Sequence, residues 1–227
     1  MEARASQAVV DAMSNVTLGD VPRSIENFAR RCATRDGEES IVSADGGRPS
    51  NGQRAILRAV SHLRLRSADD YAVCAFMLDC GQSIPLHNHP DMCVHMRVLF
   101  GRAHVRAFDF VHDNVHSELS TKEATAGNGR RHQARLVFDE TVFESGRGGA
   151  FTLEPHRCNV HEIRAVTPCA ILEVQTPPYA VDGGRDCHYF EEVEQASATE
   201  FLLREIGCPD TFECVRFNRH GEFDAYT

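Results

Sequence analysis

The sequence predicts an all-β barrel or sandwich that follows a helical extension. From about residue 59 the chain consists of short β-type runs separated by Gly, Pro and polar turns. No helical pattern alternates with these runs, which disfavours a parallel α/β sheet and favours a barrel or a sandwich. We therefore divide the chain into an N-terminal extension at 1–58 and a β domain at 59–227.

The extension is predicted to contain one clear helix. Pro22 suits the first turn of a helix that runs through SIENFARRCATR, since proline lacks the N–H that this position leaves unpaired. The Gly, Ser and Asn residues of SADGGRPSNG then break the pattern. The rest of 1–58 is interpreted as helical and loop material.

Eight runs in the β domain have the composition of strands, and their ends carry turn residues. They are LRLRS, YAVCAFML, MCVHMRVLF, AHVRAFDFV, RLVFDETVF, AFTLE, VHEIRAV and AILEVQT. A polar stretch near 113–131 has turn composition and is expected to be an excursion between two strands. After it, EFLLREIG is predicted to form a short helix, and Pro209 and the apolar FECVRF follow.

Composition excludes several classes of function. The formal net charge is -9 and there is no basic stripe, so neither nucleic acid nor an anionic membrane is an expected partner. No apolar run approaches the roughly 20 residues of a membrane-spanning helix. The nine cysteines form no CxxC pair and favour a reducing compartment over a disulfide scaffold. We expect a cytosolic monomer, and a chain this small could also enter the nucleus.

A histidine pair is the most informative feature of the chain. His87 and His89 are two residues apart in GQSIPLHNHPDMCVHMRVLFG, and residues at that spacing share one face of an extended chain. Both imidazoles can therefore reach one metal ion. The best third ligand is His161 in EPHRCNVHEIRAV, because the run that follows it alternates as a strand does.

The surroundings of these histidines resemble two linked motifs of the cupin superfamily. Gly81 precedes the histidine pair and Gly101 ends the following strand, as in the first motif. The second motif is approximated by a glycine, a proline and a histidine at Gly149, Pro155 and His161. The resemblance implies a double-stranded β-helix barrel of the cupin type.

One position departs from the first cupin motif. The usual glutamate ligand falls on Val94, which cannot bind a metal, so the site is expected to contain three histidines. Three neutral ligands leave a divalent ion with its full charge and with open positions, so an anionic thiolate can bind beside it and restore the charge balance. On ligand type alone, zinc with a bound water remains an alternative.

Five segments then identify a family. IPLHNHPDM, RVLFG, PHRCNVHEI, TPPY and GRDCHYF resemble the cysteamine dioxygenase and plant cysteine oxidase family of thiol dioxygenases, from about Leu63 onward. The resemblance implies that His87, His89 and His161 bind Fe(II). It also implies that O2 is added to the thiol of an N-terminal cysteine, in a peptide or protein, or of cysteamine, to give a sulfinic acid.

The same resemblance suggests further site residues. Glu173 stands where the family usually has an aspartate implicated in substrate handling, six positions before Tyr179. Asp91 replaces the family's usual glycine and is expected to add a carboxylate near the mouth of the pocket. Cys187 and Tyr189 resemble a pair reported to cross-link in an animal member.

These residues leave two rival functions open. One is a cupin that binds a metal or a small ligand without catalysis, and the other is a three-histidine zinc hydrolase or isomerase. Sulfur supplies all four electrons for the reduction of dioxygen, so a dioxygenase of this kind needs no 2-oxoglutarate, flavin or nicotinamide. Accordingly, the sequence has no GxGxxG or P-loop in a fitting context.

Overall fold

A computed structural model describes residues 22–33, 59–111, 129–143 and 150–218. These residues form one α-helix, α1 (Arg23–Ala33), and twelve β-strands. The strands are β1 (Val60–Ser67), β2 (Ala72–Leu78), β3 (Ser83–His87), β4 (Cys93–Phe100), β5 (Arg102–Phe110), β6 (Arg131–Phe143), β7 (Ala150–Leu153), β8 (Val160–Ala165), β9 (Cys169–Thr176), β10 (Tyr189–Gln195), β11 (Glu200–Ile206) and β12 (Cys214–Asn218). Within the described residues no helix combines the length and the apolar character needed to cross a membrane.

The strands form two sheets of six. The first has the order β12-β1-β2-β9-β4-β7, and the second has the order β10-β11-β6-β5-β8-β3 and closes on itself. Closure depends on one register pair between β10 and β3, Tyr189 with His87. The all-β barrel predicted from the short runs is therefore confirmed.

Apolar side chains from both sheets fill the space between them. On β4, Val94, Met96 and Val98 alternate inward and are fully buried. They pack in one cluster with Val105 of β5 and Ile163 of β8. Each such side chain contributes about 1.5–3 kcal/mol when it leaves water, so this layer is the main support of the barrel.

The helix covers the outer face of the first sheet. Ile25 has no exposed surface and packs in a cluster with Leu63, Leu99 and Leu172. The main-chain oxygen of Pro22 accepts a hydrogen bond from the Ile25 N–H at 2.9 Å, which starts the first turn. The helix thus lies where the sequence predicted it, and the remainder of 1–58 lies outside the described residues.

A second apolar cluster attaches the β10–β11 hairpin to the barrel. Phe190 and Phe201 from the hairpin pack with Leu86 of β3 and Phe108 of β5. The Phe108 and Phe201 rings meet edge to face, with centroids 5.2 Å apart. This packing fixes Tyr189, the first residue of the hairpin, beside the end of β3.

All eight predicted strands overlap observed ones, but one element was assigned wrongly. The run EFLLREIG forms strand β11 instead of a short helix. Phe201 and Leu203 alternate into the core, and the strand pairs with both β10 and β6. Most of the predicted excursion near 113–131, and Gly149 of the second motif, lie outside the described residues.

The two glycines of the first motif both adopt a left-handed backbone conformation. Gly81 has φ +84° and Gly101 has φ +78°, a region that side chains disfavour. At Gly101 a Cβ would also lie 2.1 Å from the main-chain oxygen of Pro168. The turn that leads out of β4 therefore requires glycine for two separate reasons.

Candidate metal centre

Three histidines converge at one end of the barrel. His87 is the last residue of β3, His89 lies in the turn that follows, and His161 is the second residue of β8. His87 and His161 are register partners in the antiparallel pairing of these strands. One ring nitrogen from each of the three lies within 4.8 Å of the other two, which is close enough for all three to bind one ion.

Hydrogen bonds orient two of the rings. Nδ1 of His87 donates to the main-chain oxygen of Pro85 at 2.8 Å, and Nδ1 of His161 donates to that of Asn159 at 3.2 Å. A carbonyl can only accept, so Nε2 carries the free lone pair in both rings. Metal-ligating histidines are usually held through their second nitrogen in this way.

Several ring nitrogens in the cluster lack partners. Among the described residues, Nε2 of His161 and both ring nitrogens of His89 are buried without a hydrogen bond. A buried polar atom without a partner costs about 1–3 kcal/mol. A metal ion would satisfy the nitrogen that each ring turns toward it, so the donors present fit a metal.

Burial also sets the charge of the ligands. Desolvation lowers the pKa of His87 to about 4, and it lowers the pKa of His89 and of His161 well below the usual value. The neighbouring rings disfavour protonation of His89 and His161 further. All three are therefore neutral near pH 7, the form that binds a metal.

Val94 occupies the position of the usual glutamate, and it lies fully buried among the apolar side chains of the core. The expected three-histidine donor set is thus what the described residues bring together. His89 differs from the sequence interpretation in one respect. It does not share a strand with His87, because β3 ends before it.

Tyr179 covers one face of His89. Its ring stacks on the imidazole with centroids 5.1 Å apart, and its hydroxyl donates to the main-chain oxygen of Asn88 at 2.8 Å. Burial raises the pKa of Tyr179 well above its usual value, and Cys187 and Glu173 add to the effect. The phenol therefore stays protonated and acts as a hydrogen-bond donor.

Cys187 and Tyr189 lie beside the same cluster. The Tyr189 ring centroid is 6.3 Å from that of His87. The Cys187 thiol interacts with the side chains of both Tyr179 and Tyr189, which lower its pKa. Burial raises its pKa to about 11, so the thiol is protonated at neutral pH.

Glu173 is a buried carboxyl on the inner wall of the barrel. It lies on β9 opposite Met96 of β4 and Cys74 of β2, and only 2% of its surface is exposed. Burial raises its pKa to about 7, although a hydrogen bond from Nε2 of Gln175 at 3.1 Å opposes the shift. Near neutral pH it can therefore gain or lose a proton.

Asp91 stays outside the buried cluster. It lies in the turn after His89, its side chain is exposed, and its φ is +55°. Aspartate tolerates this left-handed conformation better than most residues, and glycine tolerates it best. The backbone thus explains why a glycine would suit this position and why an aspartate can occupy it.

Two asparagines that the sequence analysis passed over also hold the centre. The side-chain oxygen of Asn88 accepts from the main-chain N–H of His188 at 3.0 Å, and the main-chain N–H of Asn88 donates to the His188 carbonyl at 3.1 Å. The side chain of Asn159 bonds to both main-chain groups of His89. The sequence signal that could have indicated this role is the position of each asparagine near a histidine of the cluster, in the segments HNH and NVH.

Comparison with known proteins identifies the family. The model of the PCO_ADO family matches residues 14–222. The chain belongs to the PCO_ADO family. Plant cysteine oxidase 1 of Arabidopsis thaliana is 33% identical over 146 residues, which cover 64% of this chain and 46% of that protein. The 2-aminoethanethiol dioxygenase of Homo sapiens is 30% identical over 186 residues, which cover 73% of this chain and 67% of that protein.

This PCO_ADO chain thus spans about half to two thirds of the length of these two relatives. Solved structures that it matches include a double-stranded β-helix protein of Klebsiella pneumoniae, at 20% identity and a TM-score of 0.38, covering 68% of this chain and all of that one. A cupin of Desulfovibrio desulfuricans matches at 16% identity and a TM-score of 0.34, covering 62% of this chain and 98% of that one. The strand topology itself supports the all-β cupin fold.

Proposed function

We propose that the protein is an iron-dependent thiol dioxygenase whose substrate is an N-terminal cysteine of a peptide or protein, or cysteamine. The observation that carries the proposal is the buried, neutral group of His87, His89 and His161 in a chain of the PCO_ADO family. The names of the two relatives, a cysteine oxidase and a 2-aminoethanethiol dioxygenase, support a thiol substrate.

The overall reaction converts a thiol and O2 into a sulfinic acid. Two sulfur–oxygen bonds form, and the sulfur loses the four electrons that the dioxygen molecule gains. No external reductant is needed, and the product is not readily reduced back. When bound by the three histidines, Fe(II) would supply a redox-active Lewis acid that favours the thiolate form of the substrate.

Three side chains of this protein could receive the substrate. Glu173 is suited to bind an ammonium group, because its carboxyl is buried and ionises close to neutral pH. Tyr179 restricts the space beside His89 and keeps its phenol protonated. Asp91 adds an exposed negative charge in the turn next to the ligand. Both substrate types carry a free amine near the thiol, which these carboxylates would attract.

Cys187 and Tyr189 complete the proposed site. Tyr189 begins the β10–β11 hairpin beside His87, and the Cys187 thiol interacts with both Tyr179 and Tyr189. Both tyrosines and the thiol are protonated at neutral pH, so they offer hydrogen bonds and no negative charge to the reacting sulfur. Their proximity is compatible with a covalent link between them.

The test uses iron-loaded protein and a short peptide that begins with cysteine. The two are mixed without air, air is admitted, and the peptide mass is followed. We expect a gain of two oxygen atoms, and no gain in a peptide whose amine is acetylated or with zinc-loaded protein. Cysteamine is the second substrate to test.

The outcomes also separate the rival functions. If neither the peptide nor cysteamine is oxidised by protein that demonstrably contains iron, the dioxygenase proposal is wrong. Tight zinc binding without oxygen uptake would then favour a hydrolase, an isomerase or a non-catalytic cupin. Oxidation of the acetylated peptide at an equal rate would remove the proposed role of the amine.

A further inference from the structure

We infer that Asn159 is the positioning residue of the metal centre, because it fixes His89 through its side chain and His161 through its main-chain oxygen. The inference rests on the proposed function only in requiring a divalent metal at the three histidines. In this role Asn159 would act solely through the two ligands that it holds.

The side chain of Asn159 forms a two-sided clamp on His89. Its Oδ1 accepts from the His89 N–H at 2.9 Å, and its Nδ2 donates to the His89 carbonyl at 2.8 Å. The His89 N–H and carbonyl lie 70 positions before Asn159 in the chain. The clamp therefore fixes the position of the His89 main chain relative to β8.

His89 depends on this clamp more than the other ligands do. His87 and His161 lie in paired strands, and each ring donates through Nδ1 to a carbonyl. His89 lies beyond the end of β3, and neither of its ring nitrogens has a hydrogen bond among the described residues. Its ring stacks on the rings of Tyr179 and His161. The hydrogen bonds that hold its main chain are the two from Asn159 and one from the Met92 N–H, which donates to the His89 carbonyl at 3.2 Å.

Asn159 is itself held firmly. Its Nδ2 also donates to the Glu154 carbonyl at 3.1 Å, and Glu154 exchanges two main-chain hydrogen bonds with Arg157. The preceding residue, Cys158, has φ +55° and donates its N–H to Oδ1 of Asp109 at 2.5 Å. The loop before β8 is thus tied to β5, and it carries Asn159 as a rigid support.

The second contact links the two ligands. The Asn159 main-chain oxygen accepts from Nδ1 of His161 at 3.2 Å, which directs Nε2 of that ring toward the cluster. A displacement of Asn159 would therefore move both His89 and His161. Loss of such outer-shell contacts typically weakens metal binding by about 10- to 100-fold.

The experiment titrates Co²⁺ into metal-free wild-type protein and the variant Asn159→Ala. We expect the dissociation constant to rise by about 10- to 100-fold and the visible d–d bands of the bound cobalt to change. Thr152→Val is the matched control, because it removes a side-chain hydrogen bond to His95 at 2.9 Å that involves none of the ligands. This control should keep the cobalt affinity and the spectrum of wild type.

The measurement separates positioning from stability. Thermal unfolding of the metal-free proteins shows whether each variant is folded. If Asn159→Ala does not fold, Asn159→Ser takes its place. Unchanged cobalt affinity and d–d bands in the folded Asn159 variant would overturn the inference while leaving the proposed function standing. Absence of cobalt binding by wild type would instead overturn the metal centre and both proposals.

Discussion

His87 and His161 lie opposite one another across β3 and β8, with ring centroids 4.3 Å apart. The strand pairing itself brings these two ligands together, and the turn after β3 adds His89. Removing His161 therefore takes away a side chain of β8 without changing β3 or the turn after it, which carry the other two histidines.

We expect His161→Ala to lose iron and dioxygenase activity together. The loss of affinity should exceed the about 100-fold typical of changes outside the ligands. Metal content is measured after iron loading and desalting, and oxygen uptake is measured with the cysteine peptide. His104→Ala is the control, because His104 pairs with Asp139 at the surface and joins no candidate metal cluster within the described part of the chain. Full iron content in His161→Ala would show that another side chain is the third ligand.

Glu173 should make the protein less stable as the pH rises. Its pKa in the folded protein is about 7, above the ordinary 4.5, so the folded state binds its proton more tightly than the unfolded state. Wild type should therefore lose stability relative to Glu173→Gln between about pH 4.5 and 7, by roughly 3 kcal/mol in total. Urea unfolding of both metal-free proteins at pH 4.5 and pH 8 measures the difference. If the free energies of unfolding of wild type and Glu173→Gln differ by the same amount at both pH values, the pKa of Glu173 is not raised in the folded protein.

The same substitution tests the proposed contact with the substrate amine. Loss of one partner of a buried charge pair costs about 2 kcal/mol or more, so Glu173→Gln should raise KM for the cysteine peptide at least about 30-fold. Glu173→Asp, which keeps the charge, should recover part of the loss. Iron content is determined in parallel. An unchanged KM in an iron-loaded variant would place the amine elsewhere.

The sequence predicted best those features that depend on residue type alone. The grouping of the three histidines could be predicted because few side chains bind metals, and Val94 lies in the apolar core at the position of the usual glutamate. Strands such as β4 and β9 could be found because their runs are long and apolar. By contrast, EFLLREIG has good helix-forming residues, and only its pairing with β6 and β10 makes it a strand.

The supporting contacts could not be predicted in this way. Asn159 acts through main-chain groups of a residue 70 positions away, and nothing in its own neighbourhood indicates that partner. The short strand β3 was missed because Pro85 interrupts its pattern. The spacing of His87 and His89 predicted one extended chain through both, whereas β3 ends at His87 and the turn after it presents His89 to the same cluster.

Tyr179→Phe should separate the two roles of this residue. It removes the hydrogen bond to the Asn88 carbonyl and keeps the ring stacked on His89. We expect a loss of about 1 kcal/mol in the free energy of unfolding and unchanged metal affinity. Tyr179→Leu also removes the stacking and should weaken metal binding. If Tyr179→Phe already binds metal as weakly as Tyr179→Leu, the hydroxyl and not the ring supports His89.

Gly101 and Gly81 provide a comparison in which the backbone conformation is nearly the same and only the space differs. At both, alanine would have to adopt a left-handed conformation, which costs about 1–2 kcal/mol. At Gly81 no atom lies within 4 Å of the added Cβ, whereas at Gly101 the Pro168 oxygen would be 2.1 Å away and Cys169 would be 2.8 Å away. We therefore expect Gly81→Ala to lower the free energy of unfolding only by this conformational cost. Gly101→Ala should lower it clearly more, and urea unfolding measures both changes. Equal losses would mean that the turn after β4 can shift away from the β8–β9 connection without cost.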